Sequence, residues 1–281
     1  MVRNSKPVRI LRSLQFYFLT LSVYFSTAAL IVLYVIVVFP LLLWDKAIVY
    51  RVTNRLLFAS FKFSALFLNY AWRVVILNDF PKDRKQRGRV IMFNHLSASD
   101  PFLVAALGVR EPIICTYKDA VHKLPTSKLI LRLTGHLAIH FKYDKANDKK
   151  IPLKESVISV MEKCKWSVDK GLNIGVYPEG RRSRDGKLGE FKDGFFRFAV
   201  ENDVEILPCA LSNSDRLWPL DSKVLVGEGV AYVNIGKPIK PQGKTIEELK
   251  AETRSAIYEL MKQCPSFKPE TQTVTGLSDE K

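Results

Sequence analysis

The chain is poor in the residues that build metal centres and disulfide scaffolds, with four cysteines and four histidines in 281 positions. Cys115, Cys164, Cys209 and Cys264 fall at no metal-ligand spacing and read as reduced thiols of a cytosol-facing protein. His136 and His140 stand four apart. The stretch between them alternates like a strand, which places both on one sheet face with no acidic partner motif nearby, and no metal is expected. No Gly-x-Ser-x-Gly elbow is present, so hydrolysis through Ser97 or Ser99 is disfavoured. The stretch from Gly180 to Gly186 is one residue too long for a nucleotide P-loop, and Leu188 replaces the Ser or Thr that motif needs. Acidic residues are scarce as well: 28 Asp and Glu face 43 Lys and Arg, a formal net charge of +15, while 47% of residues are hydrophobic. That balance excludes a disordered basic tail. With no RNP-like aromatic signature, zinc-finger spacing or basic zipper, no nucleic-acid partner is expected. It suits a protein that lies on anionic lipid or handles acidic substrates.

The longest absence of charge runs over residues 13–44. A helix of that length exceeds the roughly 30 Å of a bilayer core. It is too long for a signal-peptide core and lacks a cleavage site, so it reads as a retained anchor: one tilted span, a span broken near Pro40, or a re-entrant helix. Basic residues flank both ends, so charge does not set its orientation. In residues 47–77, Arg51, Arg55, Lys62, Asn69 and Arg73 are spaced 4, 7, 7 and 4 apart, which predicts a second helix with a thin cationic stripe and a broad apolar face, suited to a headgroup boundary. Residues 1–80 are thus expected to be membrane-anchoring helices, 81–264 a catalytic domain and 265–281 a loose polar tail.

After Pro81 the pattern changes. Strand-like runs at 90–93, 113–117, 137–141, 172–177, 205–211, 223–226 and 231–235 alternate with helix-like runs at 101–107, 127–133, 153–170, 194–201 and 245–263. The fold class is therefore α/β: a mostly parallel central sheet with helices on both faces, preceded by a membrane-embedded helix pair. No internal repeat is present.

Chemistry concentrates at two strand ends. The apolar run 89–93 leads into Asn94-His95-Leu96-Ser97-Ala98-Ser99-Asp100, and Pro101 makes Asp100 a natural helix N-cap. A carboxylate five residues on in the same turn can orient one nitrogen of His95 and leave the other to take a proton from a hydroxyl. Taken alone, the stretch serves equally as a capped turn. Downstream, Tyr177-Pro178-Glu179-Gly180-Arg181-Arg182-Ser183 follows another apolar run. Its guanidinium groups offer planar donor forks matched to a phosphate, beside Glu179 at a strand end where α/β sites gather. Phe191-Lys192-Asp193-Gly194-Phe195 then opens a helix, and Pro208 in Ile206-Leu207-Pro208 suits an edge or a bend lining a cleft.

In this order the motifs resemble those of the glycerolipid acyltransferases, most closely the 1-acyl-sn-glycerol-3-phosphate acyltransferases, over about residues 89–211. The resemblance implies that His95 is the general base and Asp100 its orienting partner. It also implies that Glu179, Gly180 and Arg182 belong to the acceptor site, where Asn94 and Arg181 also stand. Arg181 replaces the usual threonine. The family's second motif appears as Gly135-His-Leu-Ala-Ile-His-Phe-Lys142, its cation shifted by one place and changed to lysine, with Lys142 the candidate phosphate ligand. The implied reaction acylates lysophosphatidic acid, or another lysophospholipid or glycerol 3-phosphate, from acyl-CoA. Acyl-CoA is a co-substrate, and no cofactor is implied. Expected partners are membrane lipids and the two substrates, with no obligate protein partner. The expected location is a membrane, endoplasmic reticulum in a eukaryote or inner membrane in a bacterium, with the active site facing the cytosol. A non-catalytic protein that binds anionic lipid is the reading from another class.

Overall fold

A computed structural model gives the structure of residues 6–33, 36, 45–81, 87–108, 110–144, 148–219 and 227–267. In chain order the helices are α1 (Lys6–Leu33), α2 (Lys46–Lys62), α3 (Asp100–Gly108), α4 (Ser127–Leu133), α5 (Lys154–Asp169), α6 (Gly194–Glu201), α7 (Ser214–Leu217) and α8 (Ile246–Lys262). The strands are β1 (Trp72–Ile76), β2 (Val90–Phe93), β3 (Ile113–Lys118), β4 (Leu137–Ile139), β5 (Phe141–Asp144), β6 (Lys149–Pro152), β7 (Asn173–Val176), β8 (Ile206–Ser212) and β9 (Gly229–Ile235). Seven strands form one sheet in the order β1-β9-β8-β2-β7-β3-β4, and β5 and β6 form a separate hairpin. Every pairing in the large sheet is parallel except β8 with β9. The strand expected over 223–226 lies outside the described residues.

Alternation along the strands builds a core on each face. Val90 and Met92 of β2 join Val160 and Cys164 of α5, Phe196 of α6 and Ile257 of α8. Ile91 and Phe93 point the other way, onto Leu103 and Leu107 of α3, Phe58 of α2 and Leu19 of α1. The last helix carries the strongest local signal: Thr245 and Glu248 close a capping box at its start.

Several elements depart from the sequence reading. The helix expected over 47–77 ends at Lys62, continues as a π-helical turn over Phe63–Phe67, and gives way to β1. Trp72–Ile76 is rich in β-branched residues and pairs with β9, so sheet pairing overrides the helical periodicity. Arg51, Arg55 and Lys62 therefore share a helix, Arg73 lies on β1, and Asn69 is buried, its carbonyl oxygen accepting from Gln15 Nε2 at 2.6 Å. One side of α2 is buried against the domain through Val49, Leu57 and Phe58, while Phe63, Phe67 and Tyr70 beyond it stay exposed. Ile10–Leu33 is long and apolar enough to cross a membrane, with Leu14, Tyr17, Leu21 and Phe25 exposed along it. The break considered near Pro40 lies outside the described residues.

The run 137–141 divides at His140, whose N–H donates to Ser156 Oγ. His136 is consequently buried before β4 and His140 is exposed after it, so they do not share a sheet face. Pro208 lies within the interior strand β8, not at an edge, and the β8–β9 ladder begins one residue later, at Cys209. The start of the expected tail is docked: Ser266 Oγ is 2.8 Å from Ser212 Oγ, and Phe267 meets Tyr258 edge to face. Residues 268–281 lie outside the described residues.

Candidate active site

The five strands β8, β2, β7, β3 and β4 run parallel, so their C-terminal ends share one edge of the sheet. That edge is where the two sequence motifs meet. His95 leaves β2, and Asp100 begins α3 just beyond it. Their Nδ1 and Oδ2 atoms are 2.6 Å apart. An ionised carboxylate only accepts, so Nδ1 carries the hydrogen and Nε2 keeps its lone pair. The same Oδ2 accepts the main-chain N–H groups of Leu96 at 2.8 Å and Ser97 at 3.0 Å, which fixes the turn around the pair. Asp100 is fully buried, whereas the His95 side chain keeps 20% exposure and can meet a substrate.

Ser97 and Ser99 support this turn. Ser97 Oγ donates to Trp218 O at 2.7 Å and Ser99 Oγ to Ser214 O at 2.8 Å, tying the turn to α7. Asn94 is also fully buried, and its amide pairs both ways with the main chain of Leu211 in β8. This expected substrate-binding residue thus locks the strand end that carries His95.

The loop after β7 closes on the same histidine. Glu179 Oε1 accepts from His95 N and Oε2 from Gly189 N, each at 2.9 Å, while His95 O accepts from Ser183 N at 2.7 Å. Burial pushes the Glu179 carboxyl above its usual range, and the two N–H groups only partly offset this. A Cβ at Gly189 would lie 2.8 Å from Glu179 Oε2, so any larger residue there would displace the Glu179 carboxylate from its contact with Gly189 N. Gly180 has φ +68° and makes the tight turn through its N–H to Tyr177 O. Arg181 and Arg182 stand exposed on this loop, with no ion-pair partner among the described residues. Lys142 is exposed on β5, in the hairpin outside the sheet that carries His95.

Two contributions were not assigned from the sequence: the ring of Tyr177, read only as the start of its motif, and Arg254, which lies outside every motif. The ring of Tyr177 stacks on His95 with centroids 4.1 Å apart and 19° between the planes. Arg254, in the distant α8, donates to Leu188 O at 2.9 Å and Gly189 O at 3.3 Å, holding the loop that clasps Glu179. Among the described residues, no group of three or more His, Cys, Asp or Glu stands where it could hold a metal ion.

A buried carboxylate that orients a part-exposed histidine, with exposed guanidinium groups one strand away, suits general-base chemistry on an anionic substrate. The sequence model of the acyltransferase family matches residues 73–212, and the chain belongs to that family. Its relatives narrow the class. It is 29% identical to the chloroplastic 1-acyl-sn-glycerol-3-phosphate acyltransferase of Brassica napus over 176 residues, 61% of this chain and 46% of that one. It is 27% identical to the 1-acyl-sn-glycerol-3-phosphate acyltransferase of Borreliella burgdorferi over 134 residues, 48% and 49% of the two chains. The chain thus spans about half the length of these relatives. The crystal structure of the 1-acyl-sn-glycerophosphate acyltransferase PlsC from Thermotoga maritima superposes with a TM-score of 0.70 at 21% identity, over 94% of this chain and 99% of that one. At that identity the likeness is one of fold.

Proposed function

We propose that the protein transfers a fatty acyl group from acyl-CoA to the free hydroxyl of lysophosphatidic acid, giving phosphatidic acid. The observation that carries this reading is the 2.6 Å contact between His95 Nδ1 and the buried Asp100, which leaves Nε2 as a base at an accessible edge. Nε2 takes the hydroxyl proton as the oxygen attacks the thioester carbonyl. The tetrahedral intermediate collapses with cleavage of the carbon–sulfur bond, and the imidazolium returns its proton to the leaving thiolate. No acyl-enzyme is required. Asp100 holds the tautomer and stabilises the imidazolium, and base catalysis of this kind supplies about 10²–10⁴-fold.

Arg182 and Arg181 hold the phosphate monoester and so set the hydroxyl near His95; such positioning supplies several kcal/mol of a barrier. Lys142 assists only if the β5–β6 hairpin reaches the same phosphate. Glu179 and Gly180 shape the loop that presents these groups, and Asn94 fixes the strand end. The exposed apolar face of α1 and the aromatic residues Phe63, Phe67 and Tyr70 seat the domain on a membrane. The active site then faces the cytosol, on endoplasmic reticulum or a bacterial inner membrane.

The test is turnover of detergent-purified protein with one acyl-CoA and a panel of lysophospholipids and glycerol 3-phosphate, followed by thiol release. Lysophosphatidic acid is expected to give the highest kcat/KM, and His95→Ala to fall at least about a hundredfold with little loss of fold. Near-normal thiol release by His95→Ala sinks the mechanism. Preference for another member of the panel replaces the acceptor.

A further inference from the structure

The stack of His95 on Tyr177 is unexplained by the hydrogen bonding of the site. Tyr177 makes its turn through the main chain, its carbonyl accepting from Gly180 N, and that bond does not need an aromatic side chain. Yet the ring lies nearly parallel to the imidazole at 4.1 Å and is itself backed by Phe93, whose centroid is 6.0 Å away. An aromatic face is the negative part of a ring quadrupole. Beneath a neutral imidazole it acts as a packing surface, and beneath an imidazolium it becomes a cation–π partner. An interaction that grows as charge develops raises kcat more than it tightens binding.

We propose that Tyr177 is a positioning residue whose ring face supports the His95 imidazolium while Asp100 holds the imidazole edge. This rests on the reading of His95 as general base. The two supports are geometrically independent: one acts along the ring plane at Nδ1, the other perpendicular to it. The charged and titratable groups around the pair are Asp100 at the start of α3, Glu179 after β7, which meets the main chain of His95, and the thiol of Cys115 on β3. Burial pushes that thiol up to about 12, so it adds no charge at neutral pH. Burial also raises the Tyr177 phenol well above its usual value, so the ring stays a neutral face.

The experiment measures kcat and both KM values across pH for the full chain in detergent, comparing wild type, Tyr177→Phe, Tyr177→Leu and His95→Ala. Tyr177→Phe keeps the face and is expected within about twofold of wild type. Tyr177→Leu is expected to lose about tenfold in kcat, with both KM values nearly unchanged. Its acid limb of the pH–rate profile is expected to move to lower pH, because the protonated ring has lost a partner. Where Tyr177→Leu does not purify as a folded protein, Tyr177→Met carries the same expectations. The proposal is overturned by wild-type kcat in the non-aromatic variants, by a lower kcat with an unmoved acid limb, or by Tyr177→Phe as impaired as Tyr177→Leu. Retained turnover in His95→Ala instead overturns the base assignment, and this inference falls with it.

Discussion

His95 leaves the C-terminal end of β2 in the middle of the sheet, whereas His136 enters β4 at its margin. Opposite kinds of group meet their Nδ1 atoms. At His95 the partner is a carboxylate, which only accepts, so Nδ1 keeps its hydrogen and Nε2 is left as a base with a route to solvent. At His136 the partner is the N–H of Cys115 at 2.8 Å, so Nδ1 must be the acceptor, and the ring packs edge to face against Phe58. Burial drives its pKa down to about 4, and the ring stays neutral. Burial keeps His136 neutral, while the His95 side chain retains 20% exposure. The partner at Nδ1 decides instead whether that nitrogen donates, as in His95, or accepts, as in His136.

The largest effect should come from making the partner of His95 resemble a neutral amide. Asp100→Asn either keeps an oxygen toward Nδ1 without its charge or presents an NH₂ that forces the other tautomer. In both cases the imidazolium loses its counter-charge. A fall in kcat of about a thousandfold or more is expected by analogy with serine protease dyads, measured as thiol release. A fall of less than tenfold would mean that the carboxylate acts only as the cap that binds Leu96 and Ser97.

His136 offers the converse test, read in stability. Its folded pKa is depressed from the ordinary 6.5 to about 4. Its contribution is therefore intact above pH 6.5 and is lost as pH falls toward 4, because the unfolded chain binds a proton that the folded one does not. The loss amounts to about 3 kcal/mol over that interval. Denaturant unfolding in detergent at pH 7 and pH 4 measures it. His136→Gln should remove most of the pH dependence, and an equally steep dependence in that variant would assign it elsewhere.

The contrast also explains what could be read from the amino-acid order. The pairing of His95 with Asp100 was legible because it is local: five residues, one turn and a proline that marks the helix start. The Tyr177–Arg182 loop was legible as a cationic strand end, but its clasp on the main chain of His95 was not, since strand order brings the two together. The same holds for Arg254, which reaches the site from α8, and for the buried role of Asn94 against Leu211. The helix expected over 47–77 failed for a related reason. A spacing of 4, 7, 7 and 4 fits a helical face, but Trp72–Ile76 finds a parallel partner in β9, and a long-range ladder outweighs local period. His136 and His140 were separated by a break in the strand that nothing between them announces.

The finest comparison is between the two carboxylates that serve His95. Asp100 meets its ring, while Glu179 meets its main chain and that of Gly189. Burial outweighs both N–H bonds at Glu179, since its pKa is raised. A raised folded pKa means the contribution is fully present below the ordinary carboxylate range and is lost as pH rises through the folded value. At neutral pH the charge on Glu179 therefore costs stability. Glu179→Gln should relieve that cost but turn one NH₂ toward an N–H donor, a mismatch of about 1–3 kcal/mol. The two effects oppose each other, so the net change in unfolding free energy should stay within about 1 kcal/mol and move in favour of the variant as pH rises. Turnover should still fall by about tenfold, because one anchor of the His95 strand end or of the Gly189 loop is lost. Urea unfolding and kcat measured on the same preparation separate the two quantities. A variant that loses several kcal/mol while keeping kcat would make Glu179 a scaffold residue and leave Asp100 as the one carboxylate of the mechanism.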